Sequence, residues 1–142
     1  MKIIFLDIDG VLNNCISVGI FHESSTIKNC INLLNQALQV TNSKIVIISS
    51  WKDVYNFEVI KKLLFDRGVL KDTIIGCTEK DIPKEKGIKE YLQNNNVENF
   101  VIVDDNLIFQ NYLFNNFYVK TDSFCGLQTQ NLKQITDVLL KK

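Results

Sequence analysis

The chain is poor in the residues that divide or staple a protein. Among its 142 residues there is one proline, Pro83, and six glycines. No repeat, low-complexity tract or Pro/Gly-rich linker separates one part from another, so residues 1–142 read as a single domain. Neither sign of charge prevails: 16 basic side chains face 16 acidic ones, and the pI is near 6.6. That balance argues against affinity built on broad neutralisation of a phosphate backbone, and any phosphate must be held by local groups. Long apolar runs are missing too. The longest are of the Ile45–Ile48 kind, far below the ~20 residues of a membrane span. The opening stretch Met1–Leu6 is cut off by Asp7 before it could serve as a secretory signal core. A cytoplasmic protein with no membrane partner is expected. Cys15, Cys30, Cys77 and Cys125 form neither a CxxC nor a Cys/His metal spacing and are read as reduced thiols. A chain of this length buries about 68–70% of its unfolded surface, enough for a core without disulfides or a structural metal.

What is present is an alternation. Ile3–Leu6, Ile45–Ile48, Thr73–Ile75, Phe100–Val103 and Phe117–Val119 read as strands, several apolar throughout, as in a sheet covered on both faces. Helical stripes fill the gaps: Ile27, Cys30, Ile31, Leu34, Ala37 and Leu38 behind a Ser24-Ser25-Thr26 cap, then Val54, Phe57, Ile60 and Leu64 ending at Gly68. Ile88, Tyr91 and Leu92 make a third stripe, Leu132, Ile135 and Leu139 a fourth, and Leu107–Leu113 a weaker helix candidate. Strands alternating with helices predict an α/β fold, a three-layer sandwich around a five-stranded, mainly parallel sheet, with ligands beyond the strand C-termini.

The residues at those strand ends carry the chemistry. The first strand runs into Asp7-Ile8-Asp9-Gly10-Val11, two carboxylates one residue apart, with a glycine that lets the chain turn sharply. If the backbone stays extended, Asp7 and Asp9 point to one side, where their repulsion calls for a cation or a shared proton, and oxygen ligands at that place suggest Mg2+. The fourth strand ends in a second acidic pair, Asp104-Asp105. In a doubly wound sheet the first and fourth strands are neighbours, which gathers four acids around one small volume. After the second strand come Ser49-Ser50-Trp51-Lys52, where a hydroxyl can donate to a phosphoryl oxygen or cap the next helix. Asp81 and Pro83 mark a further helix start. There Lys84 shares the sheet-facing stripe of Ile88 and Tyr91, whereas Lys86 lies about 200° around the helix.

Taken in order, Asp7-Ile8-Asp9-Gly10-Val11, Ser49, Lys84 or Lys86, and Asp104-Asp105 resemble the four motifs of the haloacid-dehalogenase-like (HAD) phosphohydrolases. Asp9-Gly10-Val11-Leu12-Asn13, Ser49-Ser50-Trp51-Lys52, Gly76-Cys77-Thr78 and Gly126-Leu127 look like the small HAD domains grouped with Swiss-army-knife RNA repair proteins. Lys52 stands where that group commonly has arginine, which keeps the charge but loses the bidentate fork. The resemblance implies a Mg2+-dependent phosphomonoesterase with Asp7 as nucleophile, Asp9 as acid and base, and Ser49 and Lys84 on the phosphoryl oxygens. It places Gly10, Ser50, Lys52 and Lys86 on the substrate side. Asp7, Asp9 through its backbone carbonyl, Asp104 and Asp105 are implied around the metal. The gaps at Asn14–Glu23 and Gly76–Pro83 are too short for a cap domain. An open site suits a phosphorylated substrate, small or presented on a nucleic-acid end or a protein. Phe21 and His22 are further candidates for substrate contact.

Two other readings compete. A receiver domain also combines an acidic cluster, a hydroxyl and a lysine, but it places the acidic pair first and the phosphorylated Asp after the third strand, the reverse of the order here. A catalytically idle, metal-binding interaction module is the other alternative, and the presence of every motif weighs against it.

Overall fold

The computed structural model describes residues 1–13 and 24–141. Its centre is a sheet of β1 (Lys2–Leu6), β2 (Ser43–Ile47), β3 (Ile74–Cys77), β4 (Asn99–Asp104) and β5 (Tyr118–Lys120) in the order β3-β2-β1-β4-β5. Every neighbouring pair of these strands is parallel. The chain steps outward from β1 to β3, then returns to lay β4 against the other side of β1, so the order reverses there. Because such crossovers are right-handed, the reversal also decides the layers. Helices α1 (Ser25–Thr41) and α3 (Phe57–Asp66) cover one face with α5 (Thr129–Leu139), while α4 (Lys84–Asn94) and a 3-10 helix at Tyr112–Phe117 cover the other. Successive β1 residues divide between the two cores as the strand period requires. Ile4 and Leu6 join Ile31, Leu34, Ile60 and Ile135, whereas Ile3 and Phe5 join Ile88, Phe109 and Phe114. The expected three-layer α/β sandwich with five strands is thus present.

Local chemistry sets the element ends. Ser24 accepts a hydrogen bond from the Ile27 N–H at 3.2 Å and opens α1, which Asn42 closes in the left-handed conformation. The fully buried Phe5 ring meets Tyr91 of α4 edge-on at 5.6 Å and Phe100 at 5.8 Å. Burying a side chain of that size stabilises the fold by about 1.5–3 kcal/mol. With Ile88, this contact fixes how α4 is rotated over the sheet.

Three details depart from the sequence reading. The stripe Val54, Phe57, Ile60, Leu64 does not belong to one helix. A short α2 (Trp51–Val54) ends at the extended Tyr55, and α3 starts anew from Asn56, whose side chain accepts from the Glu58 N–H. Val54 is consequently exposed. Leu107–Leu113 forms no α-helix: the chain runs irregularly to Asn111, burying Phe109, and then enters the 3-10 helix, which buries Phe114. In β3 the register slips between its pairings with Ile45 and Val46, leaving Ile75 exposed. The loop from Gly76 to Pro83 holds no inserted domain. Asn14–Glu23, with Cys15, Phe21 and His22, lies outside the described residues. No helix among the described residues is long and apolar enough to cross a membrane, and Cys30, Cys77 and Cys125 are free thiols.

Candidate active site

Parallel pairing carries the first two acids to one point. The Asp7 N–H donates to the Val103 carbonyl at 3.0 Å, prolonging the β1–β4 ladder by one residue, and Asp104 is the last residue of β4. Both are buried, 5% and 1% exposed. Asp7, Asp104 and the half-buried Asp105 each offer a carboxylate oxygen, all within 4.8 Å of one another. Lys84, first residue of α4, enters this group with its Nζ 2.7 Å from Asp104 Oδ2 and 3.3 Å from Asp7 Oδ2. The other Asp104 oxygen accepts from the Asn106 N–H at 2.9 Å. Lys86 is exposed, as its helical phase requires.

One ammonium does not balance three carboxylates in so dry a place. Burial first, then the Asp104 charge, pushes the Asp7 carboxyl up from an ordinary 3.8 to about 7, against the pull of Lys84. Asp105 is raised for the same leading reasons, burial and then Asp104. Burial pulls Lys84 down, but Asp7 and Asp104 outweigh it and hold the ammonium above its usual value. Hard oxygen donors, clustered and short of positive charge, fit a divalent cation of the Mg2+ kind.

Asp9 does not join the cluster. After Asp7 the chain turns, so Asp9 is exposed while Ile8, Val11 and Leu12 are buried beneath it. Its Oδ1 accepts from the Asn13 amide at 3.0 Å and its Oδ2 from the Trp51 indole N–H at 2.9 Å. Three side-chain carboxylates therefore converge where the sequence suggested four. The loop is closed by Asn13 Oδ1, which accepts from the Gly10 N–H, and by Thr121, whose hydroxyl donates to the Gly10 carbonyl.

The segment after β2 lies beside this loop because the Ile48 N–H donates to the Leu6 carbonyl. Ser49 is buried and its Oγ accepts from the Trp51 N–H at 3.2 Å, one residue before Ser50, the N-cap of α2, whose own side chain makes no cap bond. Ser50 is exposed. Lys52 is 2% exposed, and its ammonium lies 3.8 Å from Asp53 Oδ1, on the side of Cys77 rather than among the three acids.

Several supporting residues carried no sequence signal. Tyr118 donates its hydroxyl to the Asp104 carbonyl and accepts from the Leu107 N–H, and burial above all pushes its phenol up to about 12. Glu85, beside Lys84, accepts from the Gln110 and Asn111 N–H groups, fastening the chain that follows the acidic pair. These contacts span 11 to 26 residues, and only the folded topology brings the partners together. Asn13, four residues after Asp9, was within reach of a turn argument.

Against families of known proteins, residues 3–132 match the HAD domain in Swiss Army Knife RNA repair proteins. No curated protein and no solved structure matches the chain.

Proposed function

Since the chain belongs to this HAD family, a membership that supports a HAD-type hydrolase, we propose that it is a Mg2+-dependent phosphomonoesterase working through an aspartyl phosphate on Asp7. The observation that carries the reading is the convergence of Asp7, Asp104 and Asp105 within 4.8 Å at the mouths of adjacent parallel strands, with Lys84 between two of them. A receiver would need its phosphorylated Asp at the end of β3, where Cys77 and Thr78 stand.

Asp7, Asp104 and Asp105 would hold Mg2+, with the Asp9 backbone carbonyl as a further oxygen. The ion, when bound, offsets the repulsion between carboxylates and phosphate and polarises the phosphoryl group. The chain's own residues do the rest. In the first step an Asp7 oxygen attacks phosphorus, the bond to the ester oxygen breaks, and Asp9 gives that oxygen a proton, so the leaving group departs as an alcohol. In the second step Asp9 takes a proton from water, whose oxygen attacks phosphorus while the bond to Asp7 breaks. Phosphate leaves and both carboxylates return to their starting states. Lys84 and Ser49 neutralise and hold the equatorial oxygens that gain charge, and Gly10 and Ser50 contribute around the substrate.

The gaps at Asn14–Glu23 and Gly76–Pro83, too short for a cap domain, and the family's association with RNA repair favour a phosphorylated nucleic-acid end as substrate. The zero net charge limits the grip on such a partner to local contacts. The deciding experiment is a Mg2+-dependent screen over 3′- and 5′-phosphorylated oligonucleotides, nucleotides, phosphopeptides and an aryl phosphate, with Asp7→Asn as the comparison. Asp7→Asn keeps size and removes the nucleophilic charge, so loss of several orders of magnitude is expected. Turnover of the aryl ester at the parent's rate would sink the assignment.

A further inference from the structure

We propose that Trp51 is a positioning residue for Asp9: its indole N–H holds that carboxylate at the mouth of the site, clear of the three-acid cluster and turned toward the leaving oxygen. The inference rests on the reading of Asp9 as acid and base. Asp9 follows Asp7 by two residues, and a carboxylate free to rotate there is drawn to the Lys84 ammonium or to a bound cation, where it has no proton to deliver to a leaving group. The structure opposes that collapse with one neutral donor on each oxygen, Asn13 at 3.0 Å and Trp51 at 2.9 Å.

The two donors suit the task chemically. An indole N–H donates and never accepts, so it cannot take the proton that Asp9 must pass on. The Asn13 carbonyl oxygen is already engaged by the Gly10 N–H at 2.9 Å, which fixes the orientation of its amide. Asn13 belongs to the same loop as Asp9 and moves with it. Trp51 is 42 residues away, seated at the start of α2 with its own N–H on Ser49 Oγ, its ring 5.8 Å from that of Tyr55 and packed against the main core. It therefore ties the acid to the β2 side of the sheet, an external reference that the loop cannot supply.

The chain has a single tryptophan, so a 15N-labelled sample gives one indole N–H signal. In Asp9→Ala that signal is expected to move upfield and to exchange faster with solvent. A signal unchanged in position and exchange overturns the proposal, and this arm needs no change at Trp51. The kinetic arm uses Trp51→Phe, which keeps a ring against Tyr55 and removes the donor. With an alkyl phosphate, whose leaving group needs a proton, kcat/KM is expected to fall about tenfold, part of the 10²–10⁴-fold that a general acid contributes. With 4-nitrophenyl phosphate it should change by less than about twofold, because an activated leaving group needs little proton transfer. In an Asp9→Ala background Trp51→Phe should cost nothing further, since residues acting through one another are not additive. Equal slowing of both esters, or a repeat of the full loss in the Asp9→Ala background, overturns the positioning role. If Asp9→Ala alone slows both esters equally, the acid role of Asp9 fails and the proposal falls with it; the NMR arm still reports whether the contact exists.

Discussion

Gly10 and Asp105 occupy one another's space: a β-carbon on Gly10 would overlap the Asp105 carboxylate, with Cγ at 2.6 Å and Cβ at 2.9 Å. Gly10 also sits at φ +77°, in the left-handed region that side chains disfavour. The glycine after the two aspartates therefore does more than turn the chain. It leaves the room into which the second acidic pair folds, so the motif of β1 and the motif of β4 are fitted to each other sterically. Gly10→Ala is expected to cost about 1–2 kcal/mol in backbone strain alone and to push Asp105 out of the cluster. Thermal melts with and without Mg2+ test this. The variant should melt lower than the parent and gain less from Mg2+, and an alanine variant with the parent's melting temperature and Mg2+ response would contradict the steric argument.

Lys84 and Lys86 stand two residues apart on α4 and should behave as unrelated residues. Ile88 and Tyr91 hold α4 against Phe5, which aims Lys84 at Asp104 and Asp7 and leaves Lys86 in solvent. Lys84→Met removes the ammonium facing those acids, leaving charge in a buried place unmatched. A loss of about 10²-fold or more in kcat/KM is expected, comparable to removing one preorganised donor at a developing charge. Lys86→Met should stay within about threefold of the parent, since an exposed side chain contributes little. Equal losses, measured with one ester under saturating Mg2+, would mean that the α4 register does not decide which lysine serves the site.

The contrast between these lysines was readable in the sequence because helical phase is a local property, and Ile88 and Tyr91 set it. The convergence of Asp7 and Asp104 was readable as well, since apolar strands covered on both faces imply a parallel sheet whose order reverses beside β1. What escaped were features settled by backbone capping or by distance. Val54 and Phe57 keep helical spacing across a break, because Asn56 starts a new helix with its own side chain, and spacing alone cannot register that. Leu107–Leu113 has enough apolar residues for a helix, yet Glu85 and Tyr118 supply hydrogen bonds to its backbone from outside. The pairing of Asp9 with Trp51 joins residues of different strand ends, and the expectation that Asp9 would point with Asp7 assumed an extended chain that turns instead.

The Asp7 carboxyl, raised to about 7 chiefly by burial and then by Asp104, gives the metal response a pH dependence of definite sign. In the metal-free protein the folded state holds a proton on Asp7 between an ordinary 3.8 and about 7, where the unfolded chain has released it. This group's contribution to stability is therefore fully present below pH 3.8 and lost as pH rises through 7. A dication needs the ionised carboxylate and must displace that proton, so its apparent affinity rises with pH and levels off above 7. For one displaced proton the change is at most about tenfold per pH unit. Asp105, raised in the same direction, adds to the trend. Melting the protein in EDTA and in a fixed Mg2+ concentration, at pH 6 and at pH 8, separates the metal-linked effect from groups that titrate away from the acidic cluster. The gain in melting temperature from Mg2+ should be larger at pH 8, because binding to the folded state stabilises it in proportion to the logarithm of ligand over apparent Kd. The same gain at both values would show that Mg2+ does not compete with a proton on Asp7, and a larger gain at pH 6 would reverse the sign and remove Asp7 from the metal site.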